Sequence, residues 1–225
     1  MAWIHDFQAI IFDGDGVLFD SEELTLHAFS HAMEHWGLRF TREELNPWVG
    51  VPTPRILDQV ARELGVRIPH EEFLTTRDRA YEEICRAENG PLPRRGVREL
   101  LAWMDARSMP RAIGSNANRH KVIFNLEQSG LAAQVPVRYS VDDVPHGKPD
   151  PEMFLRAAAD MCVDPKRCVV IEDATSGLKA ARAAGMTAVA VLGSLPIAML
   201  KPEADVIYED PAAFLAEVVA VRGTL

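Results

Sequence analysis

The sequence predicts an α/β fold, a doubly wound parallel sheet with an all-helical domain inserted into it. Short apolar runs bounded by Asp, Gly or Pro alternate with stretches of helical length. Strand alternating with helix implies right-handed βαβ units gathered in one parallel sheet. The runs at 9–12 and 168–171 are continuously apolar, as in strands covered on both faces. Between about 20 and 93, by contrast, only helical patterns occur. The expected division is a Rossmann-like core of 1–19 and 94–225, with a helical domain over 20–93.

The first strand, Ala9-Ile10-Ile11-Phe12, runs into Asp13-Gly14-Asp15-Gly16. Ligands of open α/β sheets bind in the crevice beyond the carboxyl ends of the strands, so Asp13 and Asp15 stand where chemistry is expected. Gly14 and Gly16 permit a sharp turn and a close approach by another group. A calcium EF-hand loop does not fit: counted from Asp13, its fifth, sixth and twelfth positions hold Val17, Leu18 and Leu24.

After Asp20 the period changes. Ser21 is expected to cap a helix reaching Trp36, with Phe29, Met33 and Trp36 on one face and Gly37 in the C′ role. His27, His31 and His35 fall roughly opposite that face, as a solvated stripe and not a metal site. Thr41 caps a short helix to Leu45. Pro47, Gly50, Pro52 and Pro54 mark a loop, 55–64 and 70–88 are helices, and 89–93 is a turn. Phe19-Asp20 and 90–93 read as hinges, and the inserted domain is expected to close over the crevice.

From Gly96 the alternation resumes. Helices are expected at 97–107, 118–130, 152–161, 175–184 and 211–221. Strands are expected at 111–115, 137–140, 168–173, 187–191 and 206–208. The strand at 111 ends in Ser115 and is followed by Asn116. Gly147-Lys148-Pro149 forms a loop, and the strand at 168 ends in Glu172-Asp173.

Bulk properties narrow the classes. With 225 residues, 48% hydrophobic and 25% charged, the chain can bury a sizeable core. A net charge of −9, from 33 acidic against 24 basic residues, argues against nucleic acid and anionic membrane as partners. It leaves an anionic small substrate possible if a cation sits in the site. The segment Met1 to Asp6 has no basic stretch followed by an apolar one, and no run nears the ~18 apolar residues of a spanning helix. Cys85, Cys162 and Cys168 are odd in number and lack CxxC spacing, as expected of reduced thiols in a cytoplasmic protein.

If the strands are neighbours, Asp13, Asp15, Glu172, Asp173, Ser115 and Lys148 converge on one crevice. Clustered carboxylates titrate upward unless a cation holds them. All-oxygen ligands without sulfur or imidazole point to Mg²⁺.

Asp-x-Asp-Gly-Val after an apolar strand, then Ser, then Lys-Pro, then Glu-Asp resembles the four-part signature of the haloacid dehalogenase superfamily. The match runs from Phe12 through Gly185, and the helical insert is similar to that family's α-helical cap. The resemblance implies that Asp13 attacks phosphorus to form an aspartyl-phosphate and that Asp15 is the general acid and base. It implies Mg²⁺ ligands at Asp13, the Asp15 carbonyl, Asp173 and Glu172, directly or through water. Ser115, Lys148 and the backbone N–H groups of Gly14 and Asn116 would hold the phosphoryl oxygens.

Two departures sharpen the expectation. The family's dehalogenases lack the second Asp, which is present here as Asp15. Its β-phosphoglucomutases carry a His early in the first cap helix, where this chain has Thr25, with His27 two residues on. Ser115-Asn116 resembles the phosphatases. The expected activity is a Mg²⁺-dependent phosphatase of small phosphorylated metabolites, sugar or sugar-acid phosphates, with a phosphomutase as the alternative. A non-catalytic binding protein on the same scaffold would be favoured by loss of Asp13 or Asp15, and both are present. Substrate selection is expected from the helical domain, with His27, Arg39, Thr53, Arg55 and Arg77 as candidates. A monomer or weak dimer is expected.

Overall fold

A computed structural model describes residues 3–48, 51, 53–193 and 195–223. Two compact units result, one from the chain through Asp20 and from Leu92 onward, the other from Ser21–Pro91.

In chain order, a short α1 (Trp3–Asp6) precedes β1 (Ala9–Phe12) and the two-residue β2 (Phe19–Asp20). The helical unit contains α2 (Glu22–Glu34), α3 (Arg42–Leu45), α4 (Thr53–Leu64) and α5 (His70–Glu88). The first unit resumes with β3 (Leu92–Pro93), α6 (Val97–Asp105), β4 (Arg111–Gly114), α7 (Arg119–Gln128), β5 (Val137–Tyr139) and α8 (Glu152–Asp160). It ends with β6 (Cys168–Glu172), α9 (Thr175–Ala183), β7 (Thr187–Val191), α10 (Ile197–Leu200), β8 (Val206–Tyr208) and α11 (Pro211–Arg222).

The main sheet is parallel, in the order β5-β4-β1-β6-β7-β8. From β1 the chain builds outward through β4 and β5, then returns to β6 on the other side of β1. That reversal opens the crevice at the carboxyl ends of β1, β4 and β6. Strand alternation sorts the core into two layers. Ile10, Phe12, Ile113, Val169, Ile171, Val189 and Val191 pack with residues of α1, α6, α7 and α11. Ala9, Ile11, Ala112, Val170, Ala188 and Ala190 pack with α8, α9 and α10. The second layer is rich in alanine on strand and helix alike, which brings backbones close.

The helical unit has its own core of Phe29, Met33, Leu57, Val60 and Phe73, with Trp36 partly buried against it. Gly37 takes the C′ role with φ +75, and Leu38 N–H donates to Met33 O at 3.1 Å. Thr41 caps α3 through a capping box with Glu44. His27, His31 and His35 are exposed. None of the three cysteines is in a disulfide; Cys85 and Cys168 are buried and Cys162 is exposed.

Several local expectations need correction. Ser21 precedes α2, but its side chain makes no capping hydrogen bond to it. Pro54 lies in the first turn of α4 and not in the loop, because a helix's first turn needs no donor from Pro. Gly50 and Pro52 lie outside the described residues. Within the expected hinges at 19–20 and 90–93, Phe19 pairs with Pro93 and Asp20 with Leu92 in an antiparallel ladder. α1 and α10 were not expected. Among the described residues no helix is long and apolar enough to cross a membrane.

Candidate active site

The β1 ladder carries on one residue past the strand, where Asp13 N–H donates to Ile171 O at 2.9 Å. This hydrogen bond fixes the Asp13 backbone beside β6. The chain then turns within five residues, with Gly14 O accepting from the N–H groups of Leu18 and Phe19 at 2.9 and 3.0 Å. Gly16 adopts φ +80 in this turn, a conformation that disfavours side chains.

Lys148 is the centre of the buried cluster. Its ammonium donates to Asp13 Oδ1 and, at 2.6 Å, to Glu172 Oε1. The other Glu172 oxygen accepts from the N–H groups of Asp173 and Ala174 at 3.1 and 3.0 Å. Gly177 leaves room for that carboxylate, since a Cβ there would overlap it. Asn116 holds the lysine's backbone: Lys148 N–H donates to Asn116 Oδ1 at 2.8 Å, and Asn116 Nδ2 donates to Lys148 O at 3.2 Å. A Cβ at Gly147 would lie 2.7 Å from Asn116 Oδ1, so glycine permits this approach.

Asp13, Glu172 and Asp173 each place one oxygen within 4.8 Å of the others. Burial foremost, then the neighbouring Glu172 carboxylate, pushes Asp13 up to about 7 despite Lys148. Burial, with Asp13 and Glu172 nearby, likewise raises Asp173 well above the usual carboxylate range. Burial by itself would depress the Lys148 amine, but the two carboxylates it binds outweigh that and raise it. Lys148 thus answers two carboxylates directly while Asp173 stands beside them, a crowding of acids that a further cation would relieve. A Cβ at Gly16 would overlap Asp173 Oδ2, and one at Gly193 would lie 2.5 Å from it, so the two glycines keep space around that oxygen. An all-oxygen donor set of this kind fits a hard divalent ion.

Ser115 is buried, its N–H donating to Tyr139 O at 3.0 Å and its Oγ accepting from Ala117 N–H at 3.1 Å. It faces Gly14, whose missing side chain would lie 3.3 Å from the hydroxyl. Asp15 is turned to α7: Lys121 Nζ lies 2.9 Å from Oδ2 and Asn125 Nδ2 3.5 Å from Oδ1. Neither α7 residue was anticipated from sequence, although a polar pair four apart on a core-facing helix is a usable signal. Arg94, also not anticipated, donates to the carbonyls of Gly16 and Leu192 and so ties together the loops after β1 and β7.

The candidates in the helical unit are mostly engaged locally. Arg39 lies 3.5 Å from Glu34, Arg77 2.6 Å from Asp78 and His27 3.8 Å from Glu88. Thr53 and Arg55 occupy the first turn of α4. Thr25 is half-buried on α2.

Comparison with known proteins identifies the family. A phosphorylated carbohydrates phosphatase of Thermotoga maritima is 30% identical over 208 residues, 87% of this chain and 95% of that protein. A β-phosphoglucomutase of Bacillus subtilis is 29% identical over 195 residues, 82% of this chain and 83% of that protein. Among solved structures, a hydrolase of the same superfamily from Deinococcus radiodurans, with bound phosphate and sodium, superposes with a TM-score of 0.78. It is 27% identical and covers 96% of this chain and 97% of its own. The model of the haloacid dehalogenase-like hydrolases matches residues 10–191, and the chain belongs to that family.

Proposed function

We propose that the protein is a Mg²⁺-dependent phosphatase of small phosphomonoesters, with sugar or sugar-acid phosphates as its substrate class. The observation that carries this is a buried Asp13 carboxylate bound by Lys148, with Glu172 and Asp173 beside it. Asp13 attacks phosphorus as the bond to the sugar oxygen breaks, and Asp15 gives that oxygen its proton. The aspartyl-phosphate so formed is then hydrolysed: Asp15 takes a proton from water, the water oxygen attacks phosphorus, and the Asp13 carboxylate is released with inorganic phosphate. Ser115, Lys148 and the N–H groups of Gly14 and Asn116 hold the phosphoryl oxygens. Asp13, the Asp15 carbonyl and Asp173 would hold the metal, with Glu172 contributing directly or through water. When bound there, Mg²⁺ supplies charge neutralisation that lets one anion approach another.

Relatives of nearly equal identity are named for a phosphatase and for a mutase, so similarity alone does not choose. The residues do. Thr25 stands where the mutases carry His, and Ser115-Asn116 resembles the phosphatases, which favours water as the acceptor. Phosphorus NMR of reactions with a sugar-phosphate panel and Mg²⁺ tests this. Stoichiometric inorganic phosphate, abolished by EDTA and independent of any bisphosphate activator, is expected. Interconversion of sugar 1- and 6-phosphates with little phosphate release would establish the mutase instead. Absence of turnover across the panel would remove the proposed substrate class.

A further inference from the structure

The connection that brings Ser115 to the crevice continues into α7, and α7 reaches back to the β1 turn. Lys121 and Asn125 lie four residues apart, one helical turn, on the same face of α7. They take different oxygens of one carboxylate: Lys121 Nζ stands 2.9 Å from Asp15 Oδ2, and Asn125 Nδ2 3.5 Å from Oδ1. Two donors on two oxygens restrict the rotation of the carboxylate as well as its position. The need is real, because the Asp15 side chain is 37% exposed on a turn, where rotamers otherwise interchange. The donors themselves stand on a firm base. Asn118 caps the helix by accepting from Lys121 N–H at 2.8 Å, and Val122 and Leu126 anchor α7 in the core. Asn125 is only 2% exposed. A buried amide is costly without a polar partner, and the Asp15 carboxylate is one such partner.

We propose that Lys121 and Asn125 are positioning residues that hold the Asp15 carboxylate for proton transfer to the leaving oxygen. This rests on the phosphatase reading, in which Asp15 is the acid. A group that acts through Asp15 matters only where an acid is needed. A sugar oxygen leaves as a poor leaving group and needs the proton, whereas p-nitrophenolate leaves without one.

The test measures kcat/KM, which reports steps through phosphorylation. The substrates are p-nitrophenyl phosphate and the fastest substrate among glucose 1-, glucose 6- and fructose 1-phosphate. In K121M we expect a loss approaching ~10²-fold on the sugar phosphate, the scale of small misplacements in catalytic groups. On p-nitrophenyl phosphate we expect a change within about threefold, and K121R should recover part of the loss. In a D15N background K121M should add less than about threefold, as for residues acting as one unit. Equal losses on both substrates, or an undiminished loss in D15N, would overturn the assignment. If K121M melts early, N125A is compared in the same way and the same two outcomes decide. A wild-type enzyme that hydrolyses p-nitrophenyl phosphate but no sugar phosphate would overturn the substrate reading and this inference together. Wild-type sugar-phosphate hydrolysis that is insensitive to K121M would overturn the inference alone.

Discussion

The two units of the chain handle charge in opposite ways. In the sheet-containing unit Lys148 reaches Asp13, 135 positions earlier, and Glu172, 24 positions later, and all three are buried. In the helical unit the ion pairs are at the surface and often close in sequence, as with Arg86–Glu82 at 2.6 Å and i,i+4 spacing. Among its described residues no charged side chain is buried. The contrast follows from architecture. A helix that buries one apolar stripe sends its charges to water. Parallel strands end together, so their following residues meet in a shared crevice walled by the core. Charge removed from water there is expensive, and it is retained where chemistry uses it.

That contrast can be broken in order of expected effect. The largest concerns Asp13→Asn, which keeps the shape of the side chain and removes the proposed nucleophile. Turnover should fall by ~10⁴-fold or more, as when other catalytic nucleophiles are lost, while thermal melting stays cooperative. Phosphate release within threefold of wild type would remove Asp13 from that role.

Lys148→Met should cost both activity and stability. It leaves Asp13 and Glu172 buried without their shared ammonium, and breaking a buried pair this way costs ~3–5 kcal/mol. Urea denaturation in the absence of metal reads this, and a loss below ~1 kcal/mol would show the cluster to be hydrated.

Gly177→Ala tests the space given to Glu172. The added methyl must push away a carboxylate held by Lys148 and two amides. Overpacking of this kind costs ~1–3 kcal/mol, and the apparent affinity for Mg²⁺ should weaken in calorimetric titration. An unchanged melt would mean that Glu172 has room elsewhere.

The smallest effect is expected in the helical unit. Arg86→Ala removes an exposed i,i+4 pair, worth ~0.3–0.5 kcal/mol, and should leave turnover unchanged. A loss above ~2 kcal/mol in urea denaturation would erase the distinction between the two units.

How far the chain could be read depended on how local each signal was. The apolar runs at β1, β6 and β7 and the longer helices were legible, because burial on both faces or along one stripe repeats along the sequence. α1 and α10 were not, since four residues are too few to show a period. The pairing of β2 with β3 was hidden for another reason: two residues on each side carry no strand pattern, and the ladder joins residues 19–20 to residues 92–93, far apart in the chain. Pro54 was misassigned because proline marks a loop and a helix's first turn equally well.

By itself the sequence determined where the candidate side chains stand: the Asp13-x-Asp15 pair, Ser115, Lys148 and Glu172-Asp173 lie at strand ends or in loops that their own neighbours define. Only the tertiary structure decided how these groups are held. Asn116 fastens the backbone of Lys148, Gly177 makes room for Glu172, Arg94 joins two loops, and Lys121 with Asn125 takes hold of Asp15 from a helix more than a hundred positions away. Strand-end chemistry is written in adjacent residues and can be read there. Support across the crevice depends on distances between elements, which the order of β1, β4 and β6 in the sheet sets and the local sequence does not record.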